Sequence, residues 1–276
     1  MLLIDTDNAA GSPQGDVDDA FALAALLRSG LPVAAVASVA GNTSEALADL
    51  NNRTLGELCG YAGPYLRGVQ AGDVSDRIDR ADLGGPLRFV ALGPLTNLAA
   101  VLGKIAISEA VLVGGNLTSR GRFPPWWPHE FNLTKDGEAT RAVFASDLSL
   151  MIVPLDVARR LRIGPRELGE WQGELGDFLR RRAARWCRRS FLVRGSRRFP
   201  VFDLAAAACL LDPSLVTLGE TSARLHPNLW LEFGRGGRRV KVVRDLDPAA
   251  IWRLCAGLVN APRAGGADPR RLRSRQ

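Results

Sequence analysis

The chain has 276 residues, 46% of them hydrophobic, and a formal net charge of +7. This length allows a sizeable core, and we predict one domain over residues 1–261. No apolar stretch approaches the length that a bilayer requires, and the first residues do not form a basic segment followed by a long apolar run. These observations exclude a membrane partner and favour a cytoplasmic protein.

The cysteines and the basic residues also exclude classes of protein. The four cysteines lie far apart and lack CxxC spacing, which favours reduced core thiols over disulfides or a zinc site. The excess charge comes mainly from arginines at 180–198 and 270–275. Apolar residues recur at helical spacing around 175–186, so we interpret most of these arginines as the solvated face of an amphipathic helix. Nucleic acid is therefore not favoured as a partner, and residues 262–276 are predicted to be a disordered tail.

In chain order, the first predicted elements are a buried strand at 1–4 and a helix at 20–27, which enclose an acidic loop. Five carboxylates lie in or beside this loop: Asp5, Asp7, Asp16, Asp18 and Asp19. So many carboxylates repel one another unless a cation holds them, and ligands that are all oxygens suit calcium or magnesium. The loop is therefore a candidate metal site.

Strands and helices alternate along the rest of the chain. Further strands are predicted at 33–39, 87–92, 110–113, 150–155 and 240–243, and helices at 44–59, 94–102, 138–145, 204–211 and 249–259. This alternation predicts an open, mostly parallel α/β sheet with helices on both faces. Ligands bind at the carboxyl ends of such strands, so polar residues there are expected to share one cleft. They are Asp7, Asn42, the turns 92–94 and 114–116, and Asp156.

Six sequence blocks then occur in a specific order. They are DTD with DVDDAFAL (5–7 and 16–23), AGNTS (40–44), ALGPLTNLA (91–99), VGG (113–115), EFN (130–132) and FD (202–203). Their order resembles that of the nucleoside hydrolase family, often called inosine-uridine preferring, from about residue 2 to about residue 258. The resemblance implies a Rossmann-like fold and calcium-dependent hydrolysis of the N-glycosidic bond of ribonucleosides in purine or pyrimidine salvage. It also implies a homodimer or homotetramer.

The same resemblance implies roles for individual residues. Asp7 matches the aspartate that binds calcium and acts as general base toward the metal-bound water. The other calcium ligands would be Asp19, Asp203 and the backbone carbonyl of Leu92, a position at which the side chain can be apolar. The residues that match those holding the ribose hydroxyls are Asp18, Asn42, Glu130 and Asn132.

Several of these residues also have simpler structural explanations. Asp18 and Asp19 at a helix start could serve only as capping residues, and Asp203 could be only an N-cap. Asn42 could cap the following helix, and Asn97 more readily satisfies backbone groups in its turn than it meets substrate. Asp5 is interpreted as a support for the loop, and Asp16 is left open.

The chain departs from the family pattern in three places. Residues 8–15 enlarge the acidic loop with turn-forming residues. Phe202 occupies the position at which many members carry a histidine that protonates the leaving base. The Pro-rich segment 123–128 lacks the asparagine that the family often has there. It carries Trp126 and Trp127, which are candidates for stacking on a nucleobase, and His129 follows as a candidate proton donor.

Alternative functions follow from these departures and from the motifs. A ribose-binding relative with little or no catalytic activity would keep the metal and sugar residues but lack leaving-group activation. A haloacid dehalogenase-like phosphatase also begins with a strand and Asp-x-Asp, but none of the three lysines follows a suitable strand. A nucleic-acid binder rests on the arginines alone.

Overall fold

Strands and α-helices alternate through the residues that the computed structural model describes, which are 1–10, 12, 15–118 and 130–262. The strands are β1 (Leu2–Thr6), β2 (Val33–Ser38), β3 (Tyr65–Leu66), β4 (Leu87–Ala91), β5 (Ile107–Val113), β6 (Leu150–Val153), β7 (Arg162–Ile163), β8 (Phe199–Pro200), β9 (Val216–Leu225), β10 (Leu231–Phe233) and β11 (Arg238–Leu246). The helices are α1 (Asp18–Arg28), α2 (Glu45–Cys59), α3 (Thr96–Val101), α4 (Phe131–Lys135), α5 (Gly137–Ala145), α6 (Leu155–Ala158), α7 (Pro165–Gly169), α8 (Gly173–Arg194), α9 (Phe202–Leu211) and α10 (Pro248–Asn260). Short 3₁₀ turns occupy Val69–Ala71, Ile78–Arg80 and Pro213–Leu215.

In the part of the chain that the structure describes, the central sheet has nine strands in the order β10-β9-β11-β6-β5-β4-β1-β2-β3. The strands from β11 to β3 pair in parallel with one another, whereas β9 pairs antiparallel with both β11 and β10. The predicted fold class, an open and mostly parallel α/β sheet, is confirmed. The strand order reverses direction between β1 and β4, and open α/β sheets bind ligands in the crevice at such a switch point.

Apolar cores cover both faces of this sheet. The side chains of β1 alternate: Leu2 and Ile4 pack into the core formed with α1, α9 and α10, while Leu3 packs into the core formed with α3 and α5. Two buried faces account for the continuous apolar run of β1, since neither set of its side chains meets water. The polar residues that follow β1 therefore mark the point where the chain leaves the core.

Two of the predicted elements were wrong in extent, and two strands were not predicted. The strand predicted at 150–155 ends at Val153, because Pro154 lacks the N–H that a ladder needs and begins α6 instead. The helix predicted from Pro94 begins at Thr96. The strands β9 and β10 were not predicted, because β9 mixes polar and small residues and obtains its order from pairing with β11.

The arginine-rich helix and the cysteines agree with the sequence analysis. α8 buries Leu175, Leu179, Ala183 and Cys187 along one face, as an amphipathic helix requires, and leaves most of its arginines exposed. All four cysteines are free and buried.

None of the helices in the described residues combines the length and the hydrophobicity needed to span a membrane. The domain boundary at residue 261 stays a prediction, and the predicted tail from residue 263 onward lies outside the described residues.

Candidate metal and substrate site

Buried carboxylates gather where β1 ends and where α1 and α9 begin. Asp7 directly follows β1, Asp18 and Asp19 form the first turn of α1, and Asp203 lies in the first turn of α9. Each of them is at most 8% exposed. The backbone N–H of Phe202 donates to Asp18 Oδ2 at 3.2 Å, which joins the start of α9 to the start of α1. The structure therefore brings together four of the sequence-predicted site residues from three separate elements.

Asp16 belongs to the same cluster. Carboxylate oxygens of Asp16, Asp18 and Asp19 lie within 4.8 Å of one another, a spacing that one cation could span. Sequence reasoning left Asp16 without a role, although its place two residues before Asp18 was a signal.

Burial changes the acidity of these groups. Removal from water raises the pKa of Asp5 to about 7 and that of Asp7 to about 6, and neighbouring carboxylates add to both effects. Burial and then the charges of their neighbours also hold the pKa values of Asp16, Asp19 and Asp203 well above the usual range. Burial raises the pKa of Asp18 as well. The cluster is thus unfavourable as a set of bare charges, and a cation would relieve it.

The cluster also contains buried oxygens that lack a hydrogen-bond donor among the described residues. They are Asp5 Oδ2, Asp7 Oδ1, Asp16 Oδ1 and Asp19 Oδ2. Buried polar atoms in folded proteins are nearly always paired, so unpaired atoms concentrated in one place require an explanation. A hard divalent cation that takes carboxylate oxygens, such as calcium or magnesium, fits this donor set.

The turns after β2 and β4 both contact the Asp7 carboxylate. Its Oδ2 accepts a hydrogen bond from the backbone N–H of Asn42 at 2.5 Å. Gly41 and Gly93 pack directly against the carboxylate, so that a Cβ added at Gly41 would lie 1.9 Å from Oδ2 and one at Gly93 would lie 3.0 Å from Oδ1. The turns after β2 and β4 therefore form a fixed cradle around Asp7.

Gly41→Ala is expected to weaken calcium binding by about tenfold or more, because the new methyl group must displace the Asp7 carboxylate. Titration calorimetry with calcium measures the change. Gly85→Ala is the matched control, since a Cβ there meets open space and should leave the affinity unaltered. Equal affinities for the two variants would contradict the proposed part of Asp7 in the cation site.

Two polar side chains support the cluster from behind. The amide of Asn97 donates to Asp5 Oδ1 at 2.8 Å and to the carbonyl of Ser38 at 3.0 Å, and its oxygen accepts from Val69 N. Thr6, which sequence reasoning missed, donates its hydroxyl to Asp19 Oδ1. Asn97 therefore satisfies backbone and carboxylate groups, as the sequence analysis expected when it favoured a structural role over contact with substrate. Asp5 links the end of β1 to Asn97 through this hydrogen bond.

The candidate sugar residues lie at the ends of β4 and β5. Glu130 caps α4 by accepting from the backbone N–H groups of Asn132 and Leu133 at 3.1 and 2.9 Å. Its removal from water raises its pKa to about 8. The amide of Asn132 donates to the carbonyl of Leu92 at 3.0 Å. A carbonyl oxygen has two lone pairs, so this bond leaves Leu92 one for a cation.

The remaining predicted residues contact the site only through the backbone, cap a turn, or lie outside the described residues. The side chain of Asn42 is exposed at the rim, and only its backbone contacts Asp7. Trp126, Trp127 and His129 lie outside the described residues. Asp156 caps the turn after β5 by accepting from the backbone N–H groups of 117 and 118.

No proton donor for a leaving group stands at Phe202, whose half-buried side chain packs against the core beneath α1. His226, the only histidine in the described residues, lies in the β9–β10 hairpin. Its ring stacks on Trp230 with centroids 4.1 Å apart, and its Nε2 lies 3.1 Å from Glu232. Both of its neighbours belong to that hairpin.

Solved structures share this architecture. A plant nucleoside hydrolase, PpNRh1, aligns with a TM-score of 0.78 over 95% of this chain and 99% of its own, at 22% identity. A purine-preferring ribonucleoside hydrolase from Gardnerella vaginalis aligns with a TM-score of 0.74 over 94% and 99%, at 20% identity. At these identities the likeness establishes the fold.

Sequence comparisons give the family. Non-specific ribonucleoside hydrolases RihC from strains of Salmonella paratyphi B and Salmonella newport are 35% identical to this chain over 140 residues, which are 48% of this chain and 44% of theirs. The chain thus aligns with less than half the length of these relatives. The profile described as inosine-uridine preferring nucleoside hydrolase matches residues 70–253, more than half of the chain. This protein belongs to the inosine-uridine preferring nucleoside hydrolase family.

Proposed function

We propose that this protein is an N-glycosyl hydrolase that cleaves ribonucleosides into ribose and free base with the help of calcium. Family membership and the cluster of buried carboxylates at the β1–β4 crevice support this assignment. The observation that carries it is the set of buried carboxylate oxygens that lack donors among the described residues, because a bound cation would satisfy them.

The proposed calcium ligands are Asp7, Asp19, Asp203 and the backbone carbonyl of Leu92. Asp16 is a further candidate because its oxygen lies within 4.8 Å of those of Asp18 and Asp19. Bound calcium would orient a water molecule and lower its pKa. The donors are carboxylates and a carbonyl, which matches the mixed oxygen shells that calcium accepts.

Asp7 is the proposed general base. Burial raises its pKa to about 6, so that near neutral pH it is ionised yet basic enough to take a proton. The hydrogen bond from Asn42 N to Oδ2 and the adjacent glycines fix the direction of the other oxygen, Oδ1. Water then adds to C1′ of the ribose, its proton passes to Asp7, and the electrons of the glycosidic bond leave with the base.

Asp18, Glu130 and Asn132 are the proposed ribose residues, with Asn42 at the rim. Carboxylates and amides bind vicinal hydroxyls through several hydrogen bonds, which fixes the sugar ring and stabilises positive charge that develops on it. Trp126, Trp127 and His129 stay candidates for the base. A homo-oligomeric state, a cytoplasmic location and a part in nucleoside salvage stay predictions from the sequence.

The alternative is a ribose-binding relative with little or no turnover. It is favoured by the packing of Phe202 against the core, which leaves no acid at that position to protonate a departing base. Such a protein would keep the cation and sugar sites and would bind ribosides without cleaving them.

Turnover of inosine, uridine, adenosine and ribosyl p-nitrophenolate with calcium or with a chelator separates the two functions. We expect hydrolysis that requires calcium, fastest for the nitrophenolate because this leaving group needs no proton. Cleavage of the nitrophenolate alone would point to weak acid catalysis. Binding of calcium without cleavage of any of the four would contradict the hydrolase assignment.

A further inference from the structure

A pocket of about 270 Å³ lies between α8 and the loop that precedes α1, beside the acidic cluster. We call it the arginine pocket. Arg181, Arg182 and Arg185 line it together with the aromatic rings of Phe178 and Trp186, and the described lining contains no carboxylate. A concentration of guanidinium groups around a cavity of this kind attracts an anion.

The lining follows from the periodicity of α8. Residues 178, 181, 182, 185 and 186 recur at helical spacing and form one stripe, next to the buried stripe that anchors the helix. Arg181, Arg182 and Arg185 are exposed, as the sequence analysis expected for most of the arginines, and they also line this pocket. The tertiary packing of α8 turns part of its charged surface toward the loop before α1.

Three contacts hold the aromatic part of the pocket in place. The indole N–H of Trp186 donates to the carbonyl of Gly15 at 2.7 Å, which ties α8 to the acidic loop. The guanidinium of Arg182 lies 5.1 Å from the centre of the Phe178 ring, and that of Arg189 lies 5.1 Å from the Trp186 ring. The rings and at least one guanidinium are thus positioned before any ligand binds.

The arginine pocket and the acidic cluster share a wall. Val17 and Gly15 line the pocket, and Asp16, which lies between them in sequence, belongs to the cluster. Asp18, the proposed ribose residue, follows Val17 directly. The pocket and the proposed ribose site are therefore formed by adjacent residues of one segment, 15–18.

We infer that the arginine pocket binds the base of the substrate and selects planar heterocycles that carry a negative charge, such as a ring carboxylate. This inference rests on the proposed function for its link to ribose. Guanidinium groups bind carboxylates through paired hydrogen bonds, and they also stack on flat rings. The pocket is large enough to admit a base, and the two aromatic rings favour a planar anion over a free phosphate.

The pocket would also assist the reaction. A base that leaves ribose takes the electrons of the glycosidic bond and gains negative charge. Arginines near the base stabilise that charge electrostatically without transferring a proton.

The test compares the binding of orotate, uracil and inorganic phosphate by titration calorimetry, in calcium buffer at constant ionic strength. We expect orotate to bind at least about tenfold more tightly than uracil or phosphate. The double variant Arg181→Gln/Arg182→Gln should lose most of this preference. Arg188→Gln is the matched control, because Arg188 is exposed on the same helix and does not line the pocket. Thermal unfolding of each variant verifies that it folds.

A kinetic comparison links the pocket to catalysis. The ratio of kcat/KM for orotidine over uridine should fall by about tenfold or more in the double variant and stay constant in Arg188→Gln. Equal binding of orotate and uracil, phosphate binding as tight as that of orotate, or the same loss in both variants would overturn the inference. If ribosyl p-nitrophenolate is not hydrolysed, the proposed function fails, and the orotate and uracil affinities still decide the inference.

Discussion

Asp7→Asn is expected to lower kcat for ribosyl p-nitrophenolate by about 10²–10⁴-fold, the range typical of a lost general base. The amide has nearly the same shape as the carboxylate but cannot take the proton of the attacking water. It also removes one negative oxygen from the proposed calcium shell, so the calcium affinity should fall. Steady-state kinetics over a range of calcium concentrations separate the two effects, since a loss of kcat that persists at saturating calcium reports the base.

Asp5→Asn provides the matched control for this prediction. Asp5 lies two residues earlier in the chain, is equally buried, and accepts a hydrogen bond from the Asn97 amide. Its substitution removes the same charge from the same region, so a purely electrostatic or folding effect would appear in both variants. We expect Asp5→Asn to keep kcat within about tenfold of the original protein. Similar losses in the two variants would argue against a specific chemical role for Asp7.

The core of the site could be predicted because its residues sit at element boundaries that the sequence marks clearly. The apolar run of β1 ends at Ile4, shortly before Asp7, and Asp18 and Asp19 begin an Ala/Leu-rich helix, so local pattern alone places three carboxylates at one edge of the sheet. The partner across the cleft, Asp203, lies far away in sequence. Only the order of the family motifs predicted its position, since an aspartate at a helix start is also an ordinary cap.

Other features depend on packing that a sequence pattern does not encode. The strand β9 alternates poorly and has few buried residues, so its existence follows from hydrogen bonding to β11 rather than from a buried face. Likewise, the amphipathic pattern of α8 predicts which side is buried but not which exposed arginines face the acidic loop. Asn42 illustrates the same limit, because the backbone of the turn contacts Asp7 while the side chain points to solvent.

Chelation of calcium is expected to lower Tm by roughly 5–10 °C at pH 8 and by much less at pH 5. In the folded protein without metal, burial raises the pKa of Asp5 to about 7 and that of Asp7 to about 6, whereas an unfolded chain titrates them near 3.9. Between about pH 4 and pH 7 the folded state therefore holds protons that the unfolded state has released, so its free energy of unfolding falls as the pH rises. Bound calcium would offset this loss at pH 8, whereas at pH 5 protons on the cluster would compete with the ion.

Asp19→Asn tests the origin of this effect, because it removes one buried charge and keeps an oxygen that can accept from Thr6. At pH 8 in chelator the variant should be more stable than the original protein, since a carboxylate without compensation is costly to bury. In calcium the order should reverse, because the variant has lost a ligand. Thermal unfolding of both proteins at the two pH values, with and without calcium, measures all of these differences. A variant that is less stable in chelator as well, or an equal calcium shift at both pH values, would mean that charge repulsion does not govern the stability of the acidic cluster.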